Sequence, residues 1–240
     1  MSLRRGAGPA PIVVDRREEA EIALAREIIA LVQERRRVVI GLATGSTPAG
    51  VYREIARLRA EERIDFGAVE TFNLDEYLDL PRDHAHTFAR WTRERFHAPL
   101  GISSERAHCP PSDDYESQIR DAGGIDLQIL GIGRNGHIAF NEPGSTRESR
   151  TREVELHAWT REDAAAAFGG LESVPHRAMT MGVATILEAR KLRVLAFGPR
   201  KVEIMKRVLE DPIGPEIPAT FLREHRDLVL WLDREAAARI

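Results

Sequence analysis

The sequence predicts an α/β fold with a mostly parallel central sheet. Two observations support this prediction: short apolar, β-branched runs alternate with segments in which apolar residues recur at helical spacing, and the glycine-rich and polar motifs follow directly after the predicted strands. Strands that are separated by helices pair in parallel through right-handed crossovers, and such sheets bind ligands outside the carboxyl ends of their strands. The motifs that follow the strands are therefore the candidates for function.

The predicted elements follow in chain order. An amphipathic helix spans 20–32, where apolar residues from Ile22 to Val32 recur among charged ones. A strand over 38–42 ends in a glycine-rich loop, and helical spacing resumes after Pro48. The later elements are strands over 69–74, 127–130, 192–197 and 228–232 and helices over 88–96 and 201–210.

Composition and charge indicate one globular domain over residues 1–240. Of these residues 42% are hydrophobic and 30% are charged, and the net charge of −3 provides no basic field for nucleic acid or an anionic membrane surface. No stretch has the length of a transmembrane helix, and no apolar run typical of a signal peptide occurs over 1–11, so a cytoplasmic protein is expected. An alanine-rich, glycine-interrupted segment over about 157–178 is predicted to be a mobile lid.

The single cysteine, Cys109, limits the possible chemistry. It cannot form an intramolecular disulfide or a thiolate metal cage, and no helix N-terminus is predicted beside it to activate a thiolate nucleophile. The Gly-x-Ser-x-Gly motif of serine hydrolases is absent, and His84 and His86 have no third metal ligand at a recognisable spacing. The sequence therefore favours catalysis by acid and base groups.

The first motif is the loop after the strand over 38–42. Residues 41–48 read Gly-Leu-Ala-Thr-Gly-Ser-Thr-Pro, so small residues lie between a strand and the start of a helix, where free N–H groups and the helix dipole favour an anion. The candidate phosphate ligands are Thr44, Gly45, Ser46 and Thr47. The Gly-Lys-Ser/Thr sequence of a triphosphate-binding loop is missing. The alternative is an ordinary turn, capped by Thr47 before Pro48.

Two adjacent carboxylates, Asp75 and Glu76, follow the predicted strand over 69–74. Side chains of successive residues point in different directions, so these two are not expected to share one task. A partly desolvated carboxylate at the carboxyl end of a strand suits a general base that removes a carbon-bound proton. The alternative is an acidic turn residue that caps the next segment.

The densest motif lies over 130–145, after a predicted strand. It contains Gly-x-Gly-x-x-Gly, but Pro143 arrives seven residues after Gly136 and leaves no room for the helix that a dinucleotide-binding fold requires. The glycines are instead expected to let the backbone approach a ligand closely. A turn would bring His137 and Glu142 together, so that the carboxylate orients or charges the imidazole. A purely structural histidine is the alternative.

Lys201 is predicted in the first turn of the helix over 201–210, after another strand end. A lysine at this position opposes the helix dipole, which favours a role as an anion ligand over that of a solvated surface charge. Together with the loop over 44–47, Lys201 suggests a phosphate that is held by backbone N–H groups and one ammonium group.

These motifs together resemble the glucosamine-6-phosphate deaminase (isomerase) family, in its short form. The resemblance rests on residues 42–48, 73–77 and 131–143; it continues through 149–152, 179–183 and 198–201 and covers about 20–232. It implies a Rossmann-like three-layer α/β sandwich, related to the phosphogluconolactonases. The implied reaction converts glucosamine 6-phosphate and water to fructose 6-phosphate and ammonia, a hydrolase-class reaction without metal or redox cofactor.

The resemblance also implies a role for each matching residue. Asp75 resembles the base that removes the C2 proton of the sugar. His137 resembles the group that opens the pyranose ring, and Glu142 the group that modulates it. Asn135, at a position where family members carry Asp or Asn, completes this ring-opening cluster. The matching phosphate-binding elements are the loop over 44–47 and Lys201.

The chain departs from the family pattern in the predicted lid and near its end. The family usually carries a phosphate-binding arginine where this chain has Ala166, and Arg161 or Arg177 is a candidate to replace it. Arg152 matches an allosteric-site position, but Val154 stands where a lysine is usual, and the chain ends soon after its last predicted strand. No activation by N-acetylglucosamine 6-phosphate is therefore expected.

Three alternative functions stay open on the sequence. They are deamination of a related amino-sugar phosphate such as galactosamine 6-phosphate, hydrolysis of 6-phosphogluconolactone, and binding of a sugar phosphate without turnover, for which the missing lid arginine is the main support. The Asp75-Glu76 pair and the Asn141-Glu142-Pro143 sequence favour the deaminase over the lactonase. In each case the predicted partner is a small sugar phosphate, and the chain is expected to be a monomer or a homo-oligomer.

Overall fold

The computed structural model describes residues 10–81, 83–112 and 114–240, so most of the N-terminal stretch in which no signal peptide is expected lies outside the described residues. Seven strands form a parallel central sheet: β1 (Ile12–Val14), β2 (Val38–Leu42), β3 (Val69–Asn73), β5 (Ala107–His108), β6 (Leu127–Gly131), β9 (Leu192–Ala196) and β10 (Leu228–Asp233). Three more form a separate antiparallel sheet: β4 (Asp75–Tyr77), β7 (Arg152–Glu155) and β8 (Arg177–Thr180).

The order of the strands in the central sheet is β1-β10-β9-β6-β2-β3-β5. From β2 the chain moves outward in one direction to β3 and β5, and from β6 it moves outward in the other direction to β9 and β10. The order therefore reverses between β2 and β6, which pair directly. Loops that leave the sheet in opposite directions open a crevice at such a point.

The helices of the described residues are α1 (Arg17–Glu34), α2 (Ala49–Glu62), α3 (Phe88–Thr92), α4 (Ala98–Leu100), α5 (Tyr115–Asp121), α6 (Ala158–Phe168), α7 (Val183–Leu187) and α8 (Val202–Glu210). β2, β3 and β9 are buried along their whole length, which requires cover on both faces of the sheet. The predicted three-layer α/β fold is confirmed. None of these helices combines the length and the apolar character needed to span a bilayer.

Most predicted elements are confirmed, and one helix differs. The structure contains the predicted α1, α2 and α8 and the predicted β2, β3, β6, β9 and β10. The predicted helix over 88–96 is α-helical only to Thr92 and continues as a π-helix over Arg93–His97. The Thr92 hydroxyl donates a hydrogen bond to the carbonyl of Phe88, and Pro99 has no N–H to donate, so both residues disturb the regular helical bonding.

The separate sheet was not among the predicted elements. Only Leu74 separates β4 from the end of β3. β4 pairs with β8 in the register Asp75 to Thr180, and β8 in turn pairs with β7. Tyr77 of β4 packs in a small apolar cluster with Phe140 and Leu156. Asp75 is therefore a strand residue, and the alternative of an acidic turn residue is wrong for Asp75.

Candidate active site

A cavity of about 490 Å³ opens where the strand order reverses. The loops after β2 and β6 line it, together with parts of β4, α3, α6 and the turn before α8. The predicted site residues that line it are Thr44, Gly45, Ser46, Thr47, Asp75, His137 and Lys201. Asn135 and Glu142 do not line the cavity but contact His137. The structure thus brings together residues from four separate stretches of the sequence.

The loop over 44–47 lines the cavity with residues whose backbone N–H groups have no acceptor among the described residues. The carbonyls of Ser46 and Thr47 accept hydrogen bonds from Arg17, at 3.2 and 3.4 Å. No described residue accepts a backbone hydrogen bond from the N–H groups of 44–47. Because α2 starts directly afterwards, its dipole adds to the attraction for an anion.

The alternative of an ordinary capped turn is wrong at this loop. α2 begins at Ala49, the residue before it is Pro48, and no side chain caps the helix. The Thr47 hydroxyl therefore does not act as an N-cap. The free donors of the loop and of the first helical turn are left for another acceptor.

Lys201 approaches the same end of the cavity from a 3₁₀ turn over Pro199–Lys201, which precedes α8 rather than lying in its first α-helical turn. Its Nζ donates a hydrogen bond to the carbonyl of Ile132 at 2.5 Å. Burial lowers the pKa of Lys201, which means that its charge lacks full solvation. An anion in the cavity would restore that solvation.

Asp75 is the first residue of β4 and is 6% exposed. Strand alternation places the side chains of Asp75 and Tyr77 in the cavity and leaves Glu76 outside it. No described side chain or backbone group donates a hydrogen bond to the Asp75 carboxylate. Burial, and to a smaller extent the charge of Glu76, raise the pKa of Asp75 well above its ordinary value. A carboxylate with these properties is a stronger base than one in water.

Glu76 has a different environment from its neighbour. Its carboxylate accepts backbone hydrogen bonds from Tyr77 at 2.9 Å, from Phe88 at 2.9 Å and from Ala89 at 2.8 Å. It therefore ties β4 to the start of α3. Burial raises the pKa of Glu76, and these three bonds oppose the shift. As their adjacency predicts, the two carboxylates do not share one task.

Cys109 lies against this acidic pair. Its Sγ is 3.6 Å from Oε2 of Glu76 and accepts a hydrogen bond from the Asn73 amide at 3.4 Å. Burial and the charge of Glu76 raise the pKa of the thiol well above its ordinary value. A thiol in this environment stays protonated, which agrees with the expectation that Cys109 is no nucleophile.

His137 is held by the loop after β6. The Gly133 N–H donates to the carbonyl of His137 at 2.9 Å, so the loop turns back on itself. The imidazole packs on the backbone of Gly133, where an added Cβ would lie 2.2 Å from ring atoms Cε1 and Nε2. The glycine is therefore required by the position of the ring. No helix follows Gly-x-Gly-x-x-Gly here, as predicted.

Nδ1 of His137 faces Asn135 and Glu142. It lies 2.8 Å from Oδ1 of Asn135 and 3.5 Å from Oε2 of Glu142. Because Nδ2 of Asn135 donates to Glu142 at 2.8 Å, its Oδ1 is the acceptor for a proton on Nδ1. Nε2 then carries the lone pair, and no described residue forms a hydrogen bond with it. This tautomer is the one that a general base needs.

Glu142 is ionised, and hydrogen bonds stabilise its carboxylate. Its Oε1 accepts hydrogen bonds from the Thr160 hydroxyl at 2.5 Å and from the His157 N–H at 3.3 Å. Burial alone would raise the pKa of Glu142, but hydrogen bonding and charge from His137, with Thr160 and Asn135, lower it to about 2. No sequence motif marks Thr160, which belongs to α6 and joins the predicted lid to the cluster of Asn135, His137 and Glu142.

The predicted lid contains α6, one face of which borders the cavity. Thr160, Asp163, Ala164 and Ala167 line the cavity at helical spacing. Ala166 is exposed and does not line it. An arginine at position 166 would therefore not point into the cavity in this arrangement of the helix.

Neither candidate for the missing arginine reaches the cavity. The Arg161 guanidinium donates to the carbonyls of Leu171 and Val174, at 3.0 and 3.2 Å. Arg177 pairs with Asp79 and Glu153 at the surface. The expectation that one of these two arginines replaces the lid arginine is wrong for this structure. Arg134, which no motif singles out, is an arginine that does line the cavity.

A second cavity of about 510 Å³ adjoins the loop that carries Glu142. Arg152 borders it and donates to Oδ1 of Asn141 and to Oγ of Ser145, both at 2.9 Å. Val154 also borders it and packs against the apolar cluster around Tyr77. Arg152 thus stabilises the loop, and position 154 adds no positive charge to this cavity.

Anion-binding and proton-transferring groups face one cavity at the switch point of a parallel sheet. This arrangement defines an α/β protein of the class that binds a small anionic molecule and moves protons on it. The chain belongs to the glucosamine-6-phosphate isomerase/6-phosphogluconolactonase family, whose description matches residues 16–231. The resemblance noted from the motifs is confirmed.

Several relatives of the chain are similar over most of its length. It is 41% identical over 235 residues to a glucosamine-6-phosphate deaminase of Rhodopirellula baltica, covering 94% of each chain. It is 43% identical over 209 residues to one of Alkaliphilus oremlandii, covering 83% of this chain and 87% of that protein.

Solved structures agree with this membership. A monomeric glucosamine-6-phosphate deaminase is 37% identical, with a TM-score of 0.92 over 96% of this chain and 99% of that one. A 6-phosphogluconolactonase from Trypanosoma cruzi is 21% identical, with a TM-score of 0.76 over 100% of this chain and 99% of that one. The second likeness establishes a common fold only.

Proposed function

We propose that this protein is a glucosamine-6-phosphate deaminase, an enzyme that converts glucosamine 6-phosphate and water to fructose 6-phosphate and ammonia. The observation that carries the proposal is the placement of the loop over 44–47, Lys201, Asp75 and His137 around one cavity. The names of the similar proteins support the same substrate. The proposal includes the roles of the site residues.

The substrate phosphate binds at the end of the cavity formed by the loop over 44–47 and Lys201. Free backbone N–H groups at a helix start and one ammonium group are suited to a dianion. This contact fixes the sugar chain at C6, which leaves C1 and C2 to the rest of the cavity. Positioning of this kind converts binding energy into a correctly oriented reacting centre.

His137 opens the pyranose ring. Its Nε2 takes the proton of the C1 hydroxyl, and the same proton is delivered to the ring oxygen as the C1–O5 bond breaks, which gives the open-chain aldehyde. The imidazolium that forms between these two transfers is stabilised by Glu142, 3.5 Å from Nδ1. Asn135 keeps Nδ1 protonated, so the proton moves through Nε2 only.

Asp75 then acts as the base of the isomerisation. It removes the proton from C2, the electron pair of that bond forms a C1=C2 double bond, and the aldehyde oxygen takes a proton from solvent, which gives an enolamine. Asp75 returns its proton to C1, which leaves an iminium ion at C2. Water adds to C2, ammonia leaves, and the proton taken from solvent is released again. The desolvated Asp75 carboxylate has the raised pKa that abstraction of a carbon-bound proton demands.

The test is a comparison of substrates with the purified protein. Ammonia release is measured with glucosamine 6-phosphate and galactosamine 6-phosphate, fructose 6-phosphate is measured by a coupled assay, and 6-phosphogluconolactone hydrolysis is measured in parallel. We expect ammonia and fructose 6-phosphate from glucosamine 6-phosphate. Turnover of only one of the other two compounds would replace the proposal by that alternative, and binding of glucosamine 6-phosphate without ammonia release would indicate a sugar-phosphate-binding protein.

We further propose, on the grounds of sequence, that residues 1–240 form one domain with a lid over 157–178 and that the protein acts in the cytoplasm. Its proposed partner is a small sugar phosphate, and neither nucleic acid nor a membrane is proposed. No metal or redox cofactor is proposed for the reaction. The protein is proposed to act as a monomer or a homo-oligomer. The monomeric state of a similar deaminase supports the first of these two states. N-acetylglucosamine 6-phosphate is expected to leave its saturation curve unchanged.

A further inference from the structure

Arg134 is a cavity-lining cation to which the proposed function assigns no role. It lies in the loop after β6, one residue before Asn135. Among the described residues, Arg134 and Lys201 are the lysine and arginine side chains that line the cavity. A guanidinium group can bind two oxygens of one phosphate, which a single ammonium group cannot do.

The residues just before Arg134 lie against the loop over 44–47 and Lys201. Gly131 lies against Thr47, because a Cβ added to Gly131 would be 4.0 Å from Cβ of Thr47. The next residue, Ile132, accepts the hydrogen bond from Lys201. Gly131 is thus next to the loop over 44–47, Ile132 is bonded to Lys201, and Arg134 follows two residues later.

Carboxylates of α6 hold Arg134 in the structure. Its guanidinium lies 3.0 Å from Glu162 and 3.5 Å from Asp163. It also donates to the carbonyl of Trp159 at 3.2 Å and lies over the Trp159 ring, 5.0 Å from the centroid. The side chain is 41% exposed, so it is not part of the core.

The two carboxylates differ in their relation to the cavity. Asp163 lines it, whereas Glu162 does not. The charge of Asp163 also reaches Lys201, since it opposes the fall in the pKa of Lys201 that burial causes. Asp163 is thus a negative charge near both cations of the cavity.

We propose that Arg134 binds the substrate phosphate and that the phosphate replaces the Asp163 carboxylate as a partner of the Arg134 guanidinium. The inference rests on the proposed function, because the ligand is the phosphate of a sugar phosphate. A dianion on the loop over 44–47 and Lys201 repels Asp163 and attracts the guanidinium of Arg134. The ion pair with Asp163 then gives way to a pair with the phosphate.

The test uses steady-state kinetics of four variants with glucosamine 6-phosphate. We expect Arg134→Gln to raise KM by about 10-fold or more with kcat changed less than about threefold, and Arg134→Lys to fall between it and the parent protein. Asp163→Asn is expected to lower KM by about two- to fivefold, because it removes the competing charge. Glu162→Gln is the matched control: it removes the same charge from the same guanidinium, but outside the cavity, and is expected to leave KM unchanged.

A second measurement separates this inference from the proposed function. If the parent protein does not turn over glucosamine 6-phosphate, calorimetric titration with inorganic phosphate still tests Arg134. The expected result is phosphate binding that is about fivefold or more weaker in Arg134→Gln and unchanged in Glu162→Gln. Equal phosphate affinity and equal KM in the parent and Arg134→Gln would overturn the inference, and so would the same fall in KM for Asp163→Asn and Glu162→Gln.

Discussion

The carboxylate of Glu142 lies 3.5 Å from Nδ1 of His137, and Asn135 bridges the two groups with hydrogen bonds of 2.8 Å to each. The pair forms because the loop after β6 turns back on itself and positions residues five apart in the sequence side by side. With its pKa at about 2, Glu142 is ionised at every pH at which the enzyme is expected to work. A protonated His137 therefore always meets a negative charge.

This pair makes the stability of the fold depend on pH. The pKa of Glu142 is lowered from its ordinary value of 4.5 to about 2, so its stabilising effect is complete above about pH 4.5 and is lost as the pH falls toward 2. Between about pH 6 and pH 3.5 the parent protein should lose about 1 to 2 kcal/mol of unfolding free energy that Glu142→Gln does not lose. Urea unfolding of both proteins at these two pH values measures the difference. Parallel losses in both would contradict the ion pair.

The role of Asp75 predicts a separation of turnover from binding. Asp75→Asn keeps the shape of the side chain but cannot accept the C2 proton, so kcat should fall by about 10³-fold or more while the dissociation constant of glucosamine 6-phosphate changes little. Turnover is measured by ammonia release, and binding by calorimetry. A variant that retains most of the parent kcat would show that the base has been wrongly assigned.

The neighbouring Glu76 predicts a shift in the pH profile. Burial and the charge of Glu76 raise the pKa of Asp75, and the base is active only when ionised, so kcat/KM should fall on the acidic side at a pH above the ordinary value of 3.8. Glu76→Gln removes one source of that shift and should move the acidic limb to lower pH. The amide oxygen can still accept the N–H bonds from Tyr77 and Phe88, which both reach Oε1, and only the bond from Ala89 to Oε2 is lost. An acidic limb that stays in place, or moves to higher pH, would contradict this coupling.

Local patterns in the sequence predict much of the central sheet and of the site. β2 and β6 are short, mostly apolar runs, and the loops that follow them are rich in glycine and in small or polar residues. His137 and Glu142 are close in the sequence, so a turn suffices to bring them together. These features depend on a few neighbouring residues, and for that reason they can be predicted from the sequence alone.

Features that depend on distant pairing are not predictable in this way. β4 has the sequence Asp-Glu-Tyr, and Asp75 is a strand residue only because it pairs with Thr180. The face that α6 turns to the cavity cannot be read from an alanine-rich sequence with little amphipathic pattern. As a result, Thr160 carries no recognisable signal, although it contacts the site. Arg134 lies in the glycine-rich motif over 130–145, but the motif does not show that its side chain turns toward α6.

The packing of His137 on Gly133 predicts that a methyl group at this position disables the site. In Gly133→Ala the new Cβ would lie 2.2 Å from atoms of the imidazole, so the ring must leave its place between Asn135 and the cavity. We expect kcat/KM to fall by about 10²-fold or more, because general acid–base catalysis by His137 is lost. Gly214→Ala is the control, since nothing lies within 4 Å of an added Cβ there. Similar activities of the two variants would contradict the proposed placement of the ring.

The proposed binding of phosphate by Lys201 depends on the charge of the side chain rather than on its hydrogen bond. Lys201→Gln can still donate to the carbonyl of Ile132, as Nζ does at 2.5 Å, but it carries no charge. Charge-assisted bonds to phosphate are about twice as strong as neutral ones, so KM for glucosamine 6-phosphate should rise by about 10- to 100-fold, with a smaller change in kcat. Lys206→Gln in α8 is the control, because Lys206 lies 4.0 Å from Glu210 and does not line the cavity. If both variants kept the parent KM, the phosphate would have to bind elsewhere than at Lys201.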